Sequence, residues 1–238
     1  MRETKGKFET LKFDHRRAKF YRYLKYIKSN NIKVEDILQH SPTFIGHMSL
    51  NRIITLYEIY KKTLGLNGHI AELGVYKGSG SLLFAKLVKI FESESLVQVH
   101  GFDWFKGTGD KNSHDNKLVK KGTYSYDKKK LLKLIKIQGF NNILKIHDID
   151  IVKDLEKFFK KNSHLRFKLV FLDIGINSVL DVAIPLVWKR LVKGGALIFD
   201  QYNHELAPGE TIAVEKHLKG KKIRTIKNSW MPNAYVIK

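Results

Sequence analysis

From His69 onward, short apolar segments alternate with segments of helical periodicity, and this alternation is the strongest constraint on the fold. The predicted strands are His69–Leu73, Leu96–Phe102, Asn142–His147, Lys168–Leu172 and Ala196–Phe199. The predicted helices are Ser79–Ile90, Lys128–Gln138, Ile151–Lys160, Ser178–Leu191, which Gly194-Gly195 closes, and Glu210–Leu218. Two further strands, Ile223–Ile226 and Ala234–Ile237, are expected to form a terminal hairpin. Together they predict an α/β fold with a mostly parallel, seven-stranded sheet and helices on both faces.

The N-terminal part of the chain precedes any predicted strand. Apolar residues recur there at helical spacing, for example Phe20, Leu24 and Ile27. We therefore expect an N-terminal helical extension or cap over residues 1–65 and a second, Rossmann-like domain over residues 66–238. With 238 residues, the chain is long enough to bury one sizeable core.

Composition excludes some classes of site. The chain has no cysteine, so disulfides, thiolate zinc sites and cysteine nucleophiles are absent. Neither a secretory signal nor an apolar run long enough to span a membrane is recognisable, which predicts a soluble, cytoplasmic protein. The formal net charge of +21 would attract anions such as nucleic acid. Because the lysines are spread along the whole chain, a merely solvated surface is the alternative. The sequence also leaves a homo-oligomer open.

A glycine-bearing turn follows the first predicted strand. It has the form Glu72-x-Gly74-x-x-x-Gly78-x-Gly80. Glycine permits positive φ and a close approach of a ligand to the backbone. The helix that follows presents free N–H groups and the positive end of its dipole, which suit a nucleotide or a carboxylate. Alone, such a turn is only a weak indication of a nucleotide site.

Acidic residues follow the other predicted strands, at the edge where open α/β sheets bind ligands. Asp103 is suited to accept ribose hydroxyls, or else caps a helix. Asp148 is suited to an adenine amino group, or caps the next helix. The side chains of Asp173, Asp200 and Gln201 are hard oxygen ligands suited to Mg²⁺ or Ca²⁺. The alternative is that these carboxylates hold loop backbone or a cofactor amine.

Two groups are candidates for a general base. Asp173 is the first, supported by Asp200, and His204 is the second because imidazole titrates in the useful range. A histidine in a surface loop is the commoner explanation for His204. The long segment 104–125, which contains His114, is a candidate lid over a substrate.

Several segments, in order, resemble one known family. They are Ser49–Tyr60, Ile70–Gly78 (Ile-Ala-Glu-Leu-Gly-Val-Tyr-Lys-Gly), Phe102–Gly107, Leu191–Tyr202 and Pro208–Val214. The chain resembles the macrocin and mycinamicin-type sugar O-methyltransferases, the TylF family, within the class I enzymes that use S-adenosylmethionine. The resemblance covers roughly residues 49–218.

The resemblance implies roles for individual residues. Glu72, Gly74 and Gly78 would line the methionine and ribose part of S-adenosylmethionine, and Asp103 would hold the ribose hydroxyls. Acidic residues after strands four and five bind Mg²⁺ in this family, and the metal grips vicinal sugar hydroxyls. The complete set of expected cofactor contacts is Glu72, Gly74, Tyr76, Gly78, Ser79, Asp103, Trp104, Asp148 and Asp173, and the expected metal ligands are Asp173, Asp200 and Gln201.

The chain departs from the family pattern at two positions. After strand four the family has Asp-Gly-Asp-x-Tyr, whereas Gly175 and Asn177 stand here in place of the second acid and the tyrosine. After strand five the second acid is replaced by Gln201. Both changes weaken affinity for a divalent ion. The expected function is O-methylation of a sugar, glycoconjugate or other small molecule. The alternatives are a nucleic-acid methyltransferase, which the net charge motivates, and a binding protein that kept the fold without catalysis.

Overall fold

The computed structural model describes residues 15–115, 119–205 and 207–238. The part of the predicted N-terminal extension that precedes residue 15 lies outside the described residues. The helices are α1 (His15–Ser29), α2 (Val34–Gln39), α3 (Ser41–Phe44), α4 (His47–Lys61), α5 (Ser79–Phe91), α6 (Lys128–Ile137), α7 (Ile151–Lys161), α8 (Asn177–Arg190) and α9 (Pro208–His217). The strands are β1 (His69–Leu73), β2 (Val99–Asp103), β3 (Leu144–Asp148), β4 (Phe167–Leu172), β5 (Leu191–Phe199), β6 (Arg224–Thr225) and β7 (Ala234–Ile237).

The strands form one seven-stranded sheet in the order β3-β2-β1-β4-β5-β7-β6. Strands β1 to β5 are parallel to their neighbours, as the alternation of strands and helices predicted. Strand β7 runs antiparallel to β5, and β6 pairs antiparallel with β7, so the sheet as a whole is mixed. The predicted terminal hairpin is present, with β6 only two residues long.

Two apolar cores cover the two faces of the sheet. On one face, α7, α8 and α9 pack on the strands through residues such as Phe159 and Leu180. On the other face, α4, α5 and α6 do so through residues such as Tyr60, Phe84 and Leu131. Full burial of each such large side chain contributes about 1.5–3 kcal/mol. The central strand β4 is buried along its whole length because both of its faces are covered.

The largest departure from the predicted boundaries lies between α8 and β5. Helix α8 ends at Arg190, and β5 begins at Leu191 rather than at Ala196. The pair Gly194-Gly195 therefore lies inside a strand and does not close the helix. Gly194 has a φ of +81°, and the β4–β5 register shifts around it. A Cβ on Gly195 would lie 2.9 Å from the Lys168 carbonyl oxygen, so glycine permits the close approach of the two strands.

A charged group lies within the otherwise apolar strand β4. Lys168 is fully buried, and its Nζ lies 2.5 Å from Oε2 of Glu92, which follows α5. The Tyr60 hydroxyl donates a hydrogen bond of 2.6 Å to the other Glu92 oxygen. The buried charge is thus both paired and hydrogen-bonded, as burial requires.

The described N-terminal residues are largely helical, as predicted. Helix α4 joins the core through Leu56, Ile59 and Tyr60. Helices α1 and α2 leave large apolar side chains exposed, among them Phe20 and Leu38. Among the described residues, no helix combines the length and the apolar character needed to cross a membrane.

Candidate functional site

Five carboxylates come together along one edge of the sheet. Glu72 and Asp103 lie near the carboxyl ends of β1 and β2, and Asp148 ends β3. Asp103 and Asp148 are direct partners in the parallel register. Asp173 and Asp200 each follow the last residue of a neighbouring strand. The predicted convergence of these acids is therefore a feature of the structure.

The glycine-bearing turn connects β1 to α5 at this edge. Gly74 has a φ of +92°, and a Cβ there would lie 2.1 Å from the Asp173 carbonyl oxygen. Gly78 is left-handed, with a φ of +86°, and its Cβ would lie 2.5 Å from a methyl group of Leu131. Both positions thus need glycine for packing and backbone conformation, whatever ligand binds. Among the described residues, no side chain caps the following helix, and its first residue, Ser79, is exposed.

Glu72 is folded beneath the start of α5. Its side chain accepts a hydrogen bond from the Ser81 hydroxyl. Gly80 leaves it room, because a Cβ there would lie 2.0 Å from Oε1 of Glu72. Burial raises the pKa of Glu72 to about 8; the hydrogen bond from Ser81 opposes this, and the nearby charge of Asp173 adds to it. Close to neutral pH, this carboxyl is therefore ready to gain or lose a proton.

Asp103 orders the glycine-bearing turn. Its Oδ2 accepts hydrogen bonds of 2.9 Å from the backbone N–H groups of Val75 and Tyr76. Its Oδ1 accepts one of 2.7 Å from the N–H of Phe105. The carboxylate holds two loops together at the position predicted for ribose recognition.

Three other predicted cofactor contacts lie close to Asp103. Trp104 donates its indole N–H to the Gly107 carbonyl oxygen at 2.5 Å, so its ring folds against its own loop. Asp148 is exposed and forms an ion pair of 2.6 Å with Lys128. Tyr76 has a φ of +50° and its ring packs edge-to-face against Tyr124.

The predicted metal ligands Asp173 and Asp200 are bridged by an arginine. One guanidinium nitrogen of Arg52 lies 2.6 Å from Oδ2 of Asp173, and the other lies 2.5 Å from Oδ1 of Asp200. The guanidinium carbon is 5.1 Å from the centre of the Phe171 ring. Burial lowers the pKa of Arg52, but the two carboxylates outweigh it and hold that pKa above its usual range. Burial and Asp200 raise the pKa of Asp173, and Arg52 opposes them.

Arg52 is a functional residue that sequence reasoning missed. It lies in α4, separated by 121 and 148 residues from its two partners. The sequence offered one indication of this position: Arg52 directly precedes the apolar pair Ile53-Ile54 in a helix that packs against the core.

The Gln201 side chain faces a glycine. A Cβ on Gly175 would lie 2.3 Å from its Oε1, which is buried and has no hydrogen-bond partner among the described residues. The backbone N–H of Gln201 donates a hydrogen bond of 2.7 Å to the side chain of Glu210, a fully buried acid. Burial, with the charge of Asp200, raises the pKa of Glu210 well above its usual range. His204 is 5% exposed, and burial lowers the pKa of its imidazole.

The long segment after β2 is tied to the start of α8. Buried Asp115 accepts hydrogen bonds from the backbone N–H of Asn177 at 2.6 Å and of Asn112 at 2.8 Å. Asn112 also donates to the Asn177 side chain at 2.8 Å, and His114 is exposed. These contacts bring the segment across the ends of β4 and β5. Its motion as a lid stays a prediction.

Several solved structures are similar to this one. The structure is similar to that of CalS11, a calicheamicin methyltransferase, with a TM-score of 0.82 and 21% identity over 98% of each chain. An apo structure of CalS11, described as a TDP-rhamnose 3'-O-methyltransferase, gives a TM-score of 0.74 at 22% identity and covers 91% of this chain and 92% of that chain. The chain has the class I methyltransferase fold. The O-methyltransferase NovP matches with a TM-score of 0.64 and 14% identity over 79% of each chain. No protein-family model and no curated protein matches the sequence.

Proposed function

We propose that this chain transfers a methyl group from S-adenosylmethionine to a hydroxyl group of a sugar or another small molecule. The observation that carries the proposal is the convergence of Glu72, Asp103 and Asp173 on the glycine-bearing turn between β1 and α5. This crevice is acidic although the whole chain carries a net charge of +21. A sulfonium cofactor is cationic and therefore suits an acidic crevice.

The residues at the turn would hold the cofactor. Gly74 and Gly78 keep the backbone free of side chains there, and the uncapped start of α5 offers N–H groups to a carboxylate. Asp103, which already fixes the turn, is the proposed partner of the ribose hydroxyls. Glu72 lies beneath the same turn.

Peripheral cofactor contacts are also part of the proposal. Tyr76 lies in the turn and Ser79 is the first residue of α5. Trp104 follows β2, and Asp148 is the last residue of β3. Parallel pairing places all of them along the same edge of the sheet. We assign them to the cofactor on this placement.

Asp173 is the proposed base. The bound cofactor supplies an electrophilic methyl group, and an acceptor hydroxyl must lose its proton as it attacks. The side chain of Asp173 is 33% exposed at the crevice, whereas that of Asp200 is 4% exposed. Of the two carboxylates, Asp173 is therefore the one that can meet an incoming hydroxyl directly. His204, the second candidate, is 5% exposed, so in this conformation Asp173 is better placed than His204 as well.

A sugar acceptor is the substrate class we favour. CalS11, which matches this chain over nearly its entire length, is described as acting on TDP-rhamnose. We also propose that residues 1–65 act as a helical extension of the catalytic domain that completes this side of the site. Helix α4 supports this, since it delivers Arg52 to the acids that follow β4 and β5.

Calorimetric titration with S-adenosylmethionine and S-adenosylhomocysteine tests the proposal. Both ligands should bind, and Asp103→Ala should weaken binding by about tenfold or more, the effect of losing roughly 1.4 kcal/mol. Asp110→Ala is the matched control, because Asp110 lies in the following loop and is 88% exposed. An absence of heat with both ligands would refute the proposal. Release of S-adenosylhomocysteine with nucleotide sugars, compared with RNA, then separates a sugar acceptor from a nucleic acid.

A further inference from the structure

The residues at the end of β4 and β5 do not fit the Mg²⁺ ion that the family resemblance implies. The space between the carboxylates of Asp173 and Asp200 is spanned by the Arg52 guanidinium, which is 2.6 Å from one and 2.5 Å from the other. A divalent cation bound by the same two oxygens would have to share this space with a positive charge that titrates only at very high pH.

The remaining oxygen donors are also unsuited to a cation. Gly175 offers no side chain, and Oε1 of Gln201 is turned toward that glycine. Glu210 accepts a hydrogen bond from the backbone of Gln201 instead. Mg²⁺ is usually held by one or two carboxylates, with water completing its octahedron, and both candidate carboxylates here already bind Arg52.

Arg52 is held in place from three sides. Its helix is fixed to the core by Leu56, Ile59 and Tyr60, on the following turns. Its guanidinium stacks against Phe171, and its two terminal nitrogens each meet one carboxylate. A planar guanidinium binds two carboxylates with fixed geometry, which a lysine cannot do.

We propose that Arg52 takes the place of a divalent metal ion in this protein. Its guanidinium neutralises Asp200, sets the orientation of Asp173 toward the crevice and makes the site independent of divalent cations. Arg52 is thus a positioning residue that acts through Asp173. Methyl transfer without a metal ion rests on the proposed function, whereas the exclusion of divalent cations from this site by Arg52 does not.

Titration with Mn²⁺, followed by the electron paramagnetic resonance signal of the free ion, tests ion binding directly. The wild-type protein should leave the signal unchanged at millimolar Mn²⁺. Arg52→Met keeps an apolar side chain of similar reach and frees both carboxylates, so it should bind Mn²⁺ at least about tenfold more tightly than wild type. Arg52→Met with Asp200→Asn should lose this gain. Circular dichroism and melting curves check that each variant folds.

Several outcomes would overturn the proposal. Binding of Mn²⁺ by wild-type protein, abolished by Asp200→Asn, would show that the cation displaces Arg52. A folded Arg52→Met variant without increased Mn²⁺ binding would show that Arg52 is not what excludes the ion. If the variant does not fold, the wild-type and Asp200→Asn titrations alone decide. Calorimetry with S-adenosylmethionine, carried out once in EDTA and once with added Mg²⁺, is a separate readout. If the cofactor binds under neither condition, the proposed function is refuted. If it binds only with Mg²⁺, the role of Arg52 is refuted.

Discussion

The contribution of one buried histidine to stability should be lost in acid. His100 in β2 is 5% exposed, and its ring stacks on His147 with a centroid distance of 5.2 Å. Its Nδ1 lies 3.0 Å from Nε2 of His147, and its own Nε2 has no hydrogen-bond partner among the described residues. Burial lowers the pKa of His100 to about 3, and further lowering comes from cationic or titratable neighbours, namely His147, His69, Lys145 and His164.

The size of the effect follows from proton linkage. The pKa of His100 is near 6.5 in the unfolded chain and about 3 in the folded protein. Below pH 6.5 the unfolded state therefore binds a proton at His100 that the folded state does not, and the contribution of His100 to stability falls as the pH falls. At pH 5.0 the difference is roughly 1.5 pH units at about 1.36 kcal/mol each, or about 2 kcal/mol. That is a large fraction of a typical total stability of about 5–15 kcal/mol.

Urea denaturation at pH 7.5 and pH 5.0 measures this loss. His100→Asn keeps a short hydrogen-bonding side chain without a titrating ring, so its change in the free energy of unfolding between the two pH values should differ from that of wild type by about 2 kcal/mol. Burial lowers the pKa of His147 to about 4, so this histidine contributes a loss of similar size that the substitution leaves in place. His40→Asn, at an exposed position, should behave as wild type. Equal losses of free energy of unfolding in wild type and His100→Asn would refute the reasoning.

Three further variants test other parts of the fold. Gly74→Ala places a Cβ 2.1 Å from the Asp173 carbonyl oxygen at a residue with positive φ, so it should lower the melting temperature sharply or prevent folding. A stable variant would contradict this close approach of Gly74 to Asp173. Lys168→Met leaves the largely buried Glu92 carboxylate without its cationic partner, although the Tyr60 hydroxyl still donates to it. The variant should cost about 3 kcal/mol in denaturant unfolding, and adding Glu92→Gln should recover part of it. Asp115→Ala removes the acceptor for the first N–H of α8, so it should lower the free energy of unfolding by about 1–3 kcal/mol and speed proteolysis of the segment after β2. An unchanged cleavage rate would argue against this anchor.

Local pattern was enough to predict most of the elements. Strand β1 begins and ends where the apolar run His69–Leu73 does, because a short run that ends in glycine has few alternatives. Strand β5 was placed too late, since Gly194-Gly195 is typical of a helix end and only the pairing with β4 reveals the bulge. Local propensity carries no information about such a long-range close approach.

The strand ends were predictable as a group, but their chemistry was not. Parallel pairing brings Asp103, Asp173 and Asp200 to one edge, and that follows from topology alone. Arg52 belongs to a helix that precedes the sheet, so its meeting with Asp173 and Asp200 depends on how α4 docks. The roles of Gly74 and Gly80 likewise depend on atoms of Asp173 and Glu72 that only the folded chain brings near.

The fit between Gly175 and Gln201 has an evolutionary consequence. The Gln201 amide occupies space that any side chain at position 175 would need, since a Cβ there would lie 2.3 Å from Oε1. An acid could not be accommodated at position 175 while the amide stays in this rotamer, and the φ of +65° adds a backbone penalty. The two positions are therefore expected to change together, so homologues should carry either both of these residues or neither.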